Sequence, residues 1–520
     1  MPTAQRLVER SLSRHGDRVS VVDAERTLTY RDLRERSARL ANALLGFGAG
    51  PERPAAALLP NRAEYVEFDV ACTRAGITRV GLSDRLSADE CRYILDHSRA
   101  ATLITTAAHL ERLGELPDDL GAVLLVDEDG GGGHGHASLA GYEPALAAAN
   151  AQLDVVPVAP DAPAYILYTS GTTGRPKGAA HTHAGRRAAI VNMLASELSL
   201  ERDSVMVHAG PLTHGSGSKL LAFLAAGGAN VLHEGFDPDA FAAAVRDRGG
   251  THTFLVPTMI QRLLEAGPEV AEAARSLRLM SFGGSPIAPR MFERAIEAFG
   301  PVLCQVYGSC EAPHPVTLLG PGDYADDMSE RVLRSAGWAA AGAELRVVDD
   351  SGTDVTLGEA GELLINGRNL MSGYWRDEAA TREAFTEEGW YASGDVVRMD
   401  EDGLVTFEDR KRDLIITGGL NVYPSEVERV LAEHPAVREV AVLGYPDDAW
   451  GESVMAYVVP AEGTEVTEEE LIGWAREQLA SYKKPRRVEF LERMPLGSSN
   501  KVLRKELREA LWQDRDRGVN

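Results

Sequence analysis

Lysine is scarce in this chain: of 54 basic residues only seven are lysines, so most positive charge is carried by arginine. A lysine inside a motif is therefore harder to dismiss as surface decoration. Cysteine is sparse as well. Cys72, Cys91, Cys304 and Cys310 form no CxxC pair and have no histidine at metal-ligand spacing, which argues against a disulfide framework and reads them as reduced and mostly buried. No uninterrupted apolar run is long enough to cross a bilayer. Positive charge is in deficit too: a formal net charge of −24 argues against broad binding to nucleic acid, whose affinity rests on summed Lys and Arg contacts to phosphate. The first 18 residues are basic but contain Glu9 and Asp17 and lack an apolar core, so neither a secretory signal nor a transit peptide fits. A cytoplasmic location is the expectation.

What is present suits a soluble globular protein. The chain has 520 residues, 44% apolar and 25% charged, enough for roughly three or four units of ordinary domain size. The stretch Gly130 to His136, GGGGHGH, reads as a linker rather than a metal chelator.

The densest motif is Tyr168-Thr169-Ser170-Gly171-Thr172-Thr173-Gly174-Arg175-Pro176-Lys177-Gly178. Its glycines let backbone amides approach an anion, and hydroxyls and a lysine gather around them. The run Ala164 to Tyr168 reads as a buried strand feeding the loop, and His183 to Leu198 as the helix leaving it. Strand, glycine loop and helix together favour bound phosphate. The spacing is not the Walker form, because Gly171, Gly174 and Lys177 sit three apart. A plain Ser/Thr/Gly surface turn is the alternative on local composition.

Helix and strand patterns alternate through the first 160 residues. Thr29 reads as a helix cap with Asp32, followed by a stripe of Leu33, Ser37, Leu40 and Leu44. A second α/β unit is expected from the phosphate loop onward, with strands at Ser204 to His208, Ala229 to His233, Thr253 to Val256 and Leu279 to Phe282. From Gly342 to Ile365 short strands between tight turns suggest a small β-rich subdomain. The charge run Glu408 to Asp413 then interrupts the pattern, and helix, strand, strand, helix, strand and helix are expected after it. A hinge is placed there, against the alternative of a solvated charged face.

In order along the chain stand Phe282-Gly283-Gly284-Ser285-Pro286, Gln305-Val306-Tyr307-Gly308-Ser309-Cys310-Glu311, Tyr391-Ala392-Ser393-Gly394-Asp395, Asp409-Arg410-Lys411-Arg412-Asp413, Gly418 to Glu428 and Asn500-Lys501-Val502-Leu503. Taken together with the phosphate loop, these resemble the adenylate-forming superfamily of acyl- and aryl-CoA synthetases, peptide-synthetase adenylation domains and firefly-type luciferases. The resemblance covers essentially the whole chain. It implies an α/β fold with a large N-terminal domain, residues 1–410, made of two α/β subdomains and a β-rich subdomain. A small mobile α+β domain, residues 411–520, would carry a catalytic lysine. The implied reaction joins ATP and a carboxylate into an acyl-adenylate, with release of pyrophosphate, after which a thiol such as that of CoA displaces AMP.

By this resemblance Thr169, Ser170, Gly171, Thr172, Thr173, Gly174 and Lys177 hold the β- and γ-phosphates. Glu311 is the expected Mg2+ ligand, a hard carboxylate beside a triphosphate. Gly283, Gly284, Ser285 and Pro286, with Gln305, Val306, Tyr307, Gly308 and Ser309, would form the adenine slot. Asp395 would accept bonds from the ribose hydroxyls, with Arg410 as its companion. Lys501 would offset charge between the attacking carboxylate and the α-phosphate, and Gly418 and Gly419 would line the thiol tunnel after domain rotation. Each has a plain alternative, whether a strand-ending turn, a surface glutamate or an exposed helix lysine beside Arg504 and Lys505. Three departures stand out: Cys310 replaces the usual threonine and donates only weakly, Arg412 occupies the pivot where Asp or Lys is usual, and Asn500 replaces the usual glycine.

Substrate choice is expected to lie in Pro211 to Lys219, where His214 helps place the carboxylate or guard the thiol entry, and in Ser281, Val306 and Ala312 to His314. Polar His214, Ser218 and Lys219 suggest a ring with polar substituents, unless Lys219 merely caps a helix or pairs with a surface acid. An aryl or arylacrylic acid leads, and a medium or short fatty acid is second. The expected partners are the acid, ATP and CoA, with no nucleic acid and no membrane, and a homodimer is compatible with the chain. Two other functions stay open: an adenylating enzyme that passes its acid to an amine, a carrier-protein thiol or another nucleophile, and a non-catalytic binding protein.

Overall fold

The computed structural model describes residues 2–128, 133–134, 137–169, 175–447, 450–495 and 502–512. By its contacts the chain divides into two units, residues 1–344 with 365–391 and residues 345–364 with 392–520.

The first unit is built as the helical patterning predicts. Thr29 Oγ1 accepts the Asp32 N–H at 3.1 Å while Asp32 Oδ2 accepts the Thr29 N–H at 2.9 Å, a reciprocal cap that satisfies two otherwise orphaned donors. The helix it starts, Tyr30–Gly46, buries Leu33, Ser37, Leu40 and Leu44. Among the described residues two nine-stranded sheets form. One runs, in spatial order, through Trp338–Ala339, Thr317–Leu319, Leu303–Tyr307, Leu279–Phe282, His252–Leu255, Val205–His208, Ala229–Leu232, Val19–Val22 and Thr27–Thr29. The other runs through Gly373–Tyr374, Lys177–Thr182, Pro163–Thr169, Arg79–Leu82, Ala55–Leu58, Thr102–Thr105, Ala122–Leu125, Ala137–Gly141 and Gly133–His134. A single apolar cluster containing Leu40, Phe68, Ile104, Met206 and Phe223 joins residues of both sheets.

Two expectations are corrected here. The sheets do not divide the chain at the phosphate loop, because Val21 pairs in parallel with Asn230 while the strands flanking the loop join the sheet of residues 55–141. Nor does the loop lead into a helix. It is followed by the strand Lys177–Thr182, antiparallel to Pro163–Thr169 with Lys177 opposite Thr169. The helix His183–Ser196 begins only after that strand, so the expected contribution of its N-terminus to phosphate binding is withdrawn. The ladder is possible because Gly178, Ala179 and Ala180 are small enough to lie buried against their neighbours. Part of the expected linker is strand as well: Gly133–His134 pairs with Ala137–Gly141, and the rest of it lies outside the described residues.

The second unit holds most of the sheet Ala343–Val348, Ala360–Gly367, Tyr391–Met399 and Val405–Arg410, which includes the expected β-rich segment. After it come the helix Pro424–Ala432, strands Val437–Asp447 and Gly451–Pro460, helix Glu468–Gln478, strand Arg487–Phe490 and helix Arg504–Leu511, in the expected order. A hairpin, Ile415–Thr417 with Leu420–Val422, was not foreseen. It turns on Gly418 and Gly419 with φ of 58° and 78°, a left-handed region that glycine enters without a Cβ penalty. Ile415, Val422, Val427, Val442, Val454 and Leu471 form the core of this part.

A buried charge cluster holds the strand that enters the phosphate loop. Asp69, on the helix Ala63–Ala75, accepts two bonds from Arg186 at 2.6 and 2.7 Å and lies 3.2 Å from the Arg79 guanidinium. Both arginines face the ring of Tyr165, at 5.2 and 5.5 Å from its centroid. Burial opposes ionisation of Asp69, but the two guanidiniums outweigh it and hold the carboxyl below its usual range. Removing one member of such a cluster leaves uncompensated charge in the interior. Asp69→Asn is expected to destabilise the first unit by about 3–5 kcal/mol, read as a lowered thermal or urea unfolding midpoint; an unchanged midpoint would show that the cluster contributes nothing to stability.

Candidate active site

Three segments of the first unit end parallel strands of one sheet and present their loops from the same edge. Pro211 to His214 follow Val205–His208, Gly283 to Pro286 follow Leu279–Phe282, and Gly308 to Glu311 follow Leu303–Tyr307. Carboxyl ends of parallel strands are where open α/β sheets bind ligands. Phe282 and Gln305 are register partners, and a Cβ on Gly283 would stand 2.4 Å from the Val306 carbonyl oxygen. Glycine is thus required where the two motifs touch. Gly284, Ser285 and Pro286 are exposed beyond it. The Gln305 Oε1 is buried with no hydrogen-bond partner among the described residues, an acceptor suited to an amino group such as that of adenine.

Glu311 sits in a turn closed on Ser309, whose Oγ accepts the N–H groups of Glu311 at 3.2 Å and Ala312 at 3.0 Å. Tyr374 Oη donates to Glu311 Oε1 at 3.0 Å, and the Lys177 ammonium lies 5.2 Å from the centroid of the same tyrosine ring. The backbone makes this meeting possible, since Ala179 and Ala180 of the post-loop strand pair with Tyr374 and Gly373 and Met371 N–H donates to the Glu311 carbonyl at 2.8 Å. Burial and the Glu311 carboxylate both raise the Tyr374 hydroxyl well above the ordinary tyrosine value, so it stays protonated and donates. Thr169 faces Lys177 across the hairpin base. Ser170, Gly171, Thr172, Thr173 and Gly174 lie outside the described residues, as does Lys501.

Sequence reasoning missed Tyr374 and also His181. His181 Nε2 is 2.7 Å from the Cys310 carbonyl oxygen. A carbonyl only accepts, so Nε2 carries the proton and the buried Nδ1 is left without a partner among the described residues. Burial pushes this imidazole down to about 4, and its ring stacks on Tyr165 at 4.6 Å and 10°. The Asp69 cluster, Tyr165 and His181 thereby support the turn that carries Cys310 and Glu311.

His214 stays apart from this group; it is exposed and its Nδ1 meets Thr213 Oγ1 at 2.8 Å. Lys219 also departs from the sequence reading. It pairs with an acid, but in the interior: Lys219 and Glu197 form an ion pair with both side chains 0% exposed.

In the second unit Asp395 and Arg410 are register partners on adjacent strands, with Arg410 Nε 3.2 Å from Asp395 Oδ1. Asp395 is buried and Arg410 half exposed. The charge run is individually paired rather than a bare solvated face. Lys411 meets Asp350 at 2.9 Å and Glu362 at 3.0 Å, Asp413 accepts from Arg508 at 2.8 Å, and Asp409 accepts the Ser425 N–H at 2.9 Å. Burial raises the Asp409 carboxyl to about 6 against the pull of its hydrogen bonds. Gly418 and Gly419 form the exposed tip of their hairpin.

The AMP-binding enzyme family matches residues 8–375, and its C-terminal domain matches residues 426–501. The chain belongs to the AMP-binding enzyme family. Among relatives of this AMP-binding enzyme, a feruloyl-CoA synthase of Amycolatopsis sp is 39% identical over 484 residues, covering 92% of this chain and 93% of that one. Among solved structures, the O-succinylbenzoate coenzyme A synthetase of Bacillus subtilis in complex with AMP is 30% identical with a TM-score of 0.83, covering 96% and 98% of the two chains. An amide bond synthetase from Marinactinospora thermotolerans is 30% identical with a TM-score of 0.85, covering 98% and 99%. These matches place the fold among the adenylate-forming enzymes, a large N-terminal domain followed by a small C-terminal one. Among the described residues no helix is long and apolar enough to cross a membrane.

A hydrogen bond to a charged group is worth about 1.5–3 kcal/mol. If the Tyr374 hydroxyl orients Glu311 toward ATP, Tyr374→Phe should weaken ATP binding about tenfold or more while leaving the unfolding midpoint close to wild type. Titration of ATP into the variant by calorimetry checks this, and unchanged affinity would separate Tyr374 from the nucleotide site.

Proposed function

We propose that this AMP-binding enzyme activates a carboxylic acid with ATP through an acyl-adenylate and then transfers the acyl group to the thiol of CoA. The observation that carries this reading is the meeting of Lys177, Tyr374 and Glu311 at the base of the phosphate hairpin. It sets a cation for phosphate beside an oriented carboxylate, which suits a nucleotide triphosphate entering with a divalent ion. Among the described residues no three His, Cys, Asp or Glu side chains cluster into a metal site, so Mg2+ would be held by Glu311 together with phosphate oxygens and water. When bound, the ion would neutralise charge on the phosphates.

In this proposal Thr169 and Lys177, with residues 170–174, hold the β- and γ-phosphates. Gly283 to Pro286 and Gln305 to Ser309 receive the adenine, where Gln305 offers its unpaired acceptor. Asp395 accepts the ribose hydroxyls and Arg410 holds Asp395 in place. His181 fixes the Cys310 carbonyl, so that the turn is held by backbone bonds even though Cys310 supplies a thiol where a hydroxyl is usual. Residues 411–520 are proposed to move as one body about Arg412, delivering Lys501 for adenylation and Gly418 and Gly419 for thiolysis, with His214 guarding the thiol entry. The likeness to a feruloyl-CoA synthase supports an aryl or arylacrylic acid as substrate, and the enzyme is proposed to act on small molecules in the cytoplasm.

A second reading has one observation in its favour, the structural likeness to an amide bond synthetase: the activated acid would pass to an amine. Pyrophosphate release with a panel of aryl acids, followed by addition of CoA or amines, separates the two. CoA thioester is the expected product, whereas amide without thioester would favour the second. Lys501→Ala is expected to lower acid-dependent ATP–pyrophosphate exchange by about 100-fold or more, as loss of a preorganised group facing developing charge does. Full exchange in that variant would remove Lys501 from the first half-reaction.

A further inference from the structure

Beside the expected acid-binding segments the first unit buries a polar cluster that the adenylation chemistry does not use. Glu197 ends the helix His183–Ser196, Lys219 precedes the helix Leu220–Ala226, and Ser281 lies on the strand leading to Gly283. Lys219 Nζ and Ser281 Oγ both donate to Glu197 Oε1. Glu197 Oε2 is buried and has no partner among the described residues. Burial opposes the charge on Glu197, but Lys219, with the bonds from Lys219 and Ser281, keeps the carboxyl below its usual range, so it is an acceptor only.

The same end of the site holds His314, three residues past Glu311. His314 stacks on Phe254 at 5.3 Å and 16°, and the Lys219 ammonium lies 5.5 Å from that phenyl centroid. Ser218 Oγ donates to the Gly215 carbonyl at 2.6 Å and lies 2.9 Å from His314 Nε2. With its proton spent on Gly215, Ser218 accepts from Nε2, and the neutral imidazole, pushed down to about 4 by burial and by the Lys219 charge, keeps Nδ1 as an acceptor. Three segments, residues 211–219, Ser281 and residues 312–314, therefore converge on the Glu197 carboxylate and the His314 imidazole, two groups that can accept a further hydrogen bond. A buried carboxylate oxygen left without a donor costs free energy, and a substrate donor would relieve it.

We propose that Glu197 is a specificity-determining residue whose Oε2 accepts a hydrogen bond from a hydroxyl or amino substituent on the acid, so that aryl acids bearing such a donor are the preferred substrates. This inference rests on the acid-activating function proposed above. A buried water bonded to Oε2, with no bearing on substrate choice, is the rival arrangement.

The test compares kcat/KM for pyrophosphate release among benzoic and cinnamic acids carrying hydrogen, hydroxyl, amino or methoxy at each ring position. The wild type is expected to favour at least one hydroxy or amino isomer over both its unsubstituted and its methoxy analogues by about tenfold or more. In Glu197→Gln combined with Lys219→Met, which leaves no unpaired charge in the interior, the amide oxygen can take the Ser281 bond and the amide N–H2 replaces the acceptor. The preference should then fall and shift toward the methoxy analogue, a change that a purely structural pair would not produce. Equal kcat/KM across the substituents in the wild type, or an unaltered donor preference in the double variant, would overturn the proposal. Absence of pyrophosphate with every acid would instead overturn the acid-activating function beneath it.

Discussion

The strand Lys177–Thr182 is hydrogen-bonded on both sides, to Pro163–Thr169 and to Gly373–Tyr374, and the candidate site hangs from that double pairing. A ladder residue cannot shift alone, because its backbone groups have no other partners in a buried sheet. Lys177 and Tyr374 are therefore set in fixed relation, and Tyr374 passes that order to Glu311. Beneath the ladder, Asp69 holds Arg79 and Arg186 against Tyr165, and Tyr165 stacks on His181, which bonds the Cys310 carbonyl. Order runs from a buried charge cluster to the turn that presents Glu311.

Such a layout suits a reaction whose catalysis is mostly positioning and electrostatics. The proposed phosphate side is carried by a hairpin whose flanking strands are pinned. The proposed nucleotide side is carried by the ends of parallel strands, where Gly283 lets the Val306 carbonyl approach to a distance no side chain would allow. The pair proposed for the ribose, Asp395 and Arg410, is built by a different device, cross-strand register in the second unit, and the neighbouring charges Lys411, Asp413 and Asp409 each have partners there.

Much of the fold was legible in the sequence, and what was legible was local. The Thr29–Asp32 cap and its stripe are carried by adjacent residues, and Leu279–Phe282 reads as a strand because its apolar run is bounded by turn residues. The strand Lys177–Thr182 was missed for the opposite reason. Lys-Gly-Ala-Ala-His-Thr has no β-branched core or alternating pattern, and its pairing partners are supplied by residues 163–169 and 373–374. Val19–Val22 joined an unexpected sheet because its partner, Ala229–Leu232, lies some two hundred residues away. In the site, Glu311 and Lys177 could be picked out by motif, whereas Tyr374, His181 and Glu197 matter through tertiary contacts that leave no local mark. Lys219 drew notice only as a polar residue of the substrate segment, and the structure buries it on Glu197.

The central claim is that the acid's own oxygen attacks the α-phosphate of ATP. Running the complete reaction with an aryl acid whose carboxylate carries heavy oxygen, and weighing the products by mass spectrometry, follows that atom directly. The account predicts that AMP emerges with one heavy oxygen and the thioester retains the other. Unlabelled AMP, with the label in inorganic phosphate or left wholly in the acid, would contradict it.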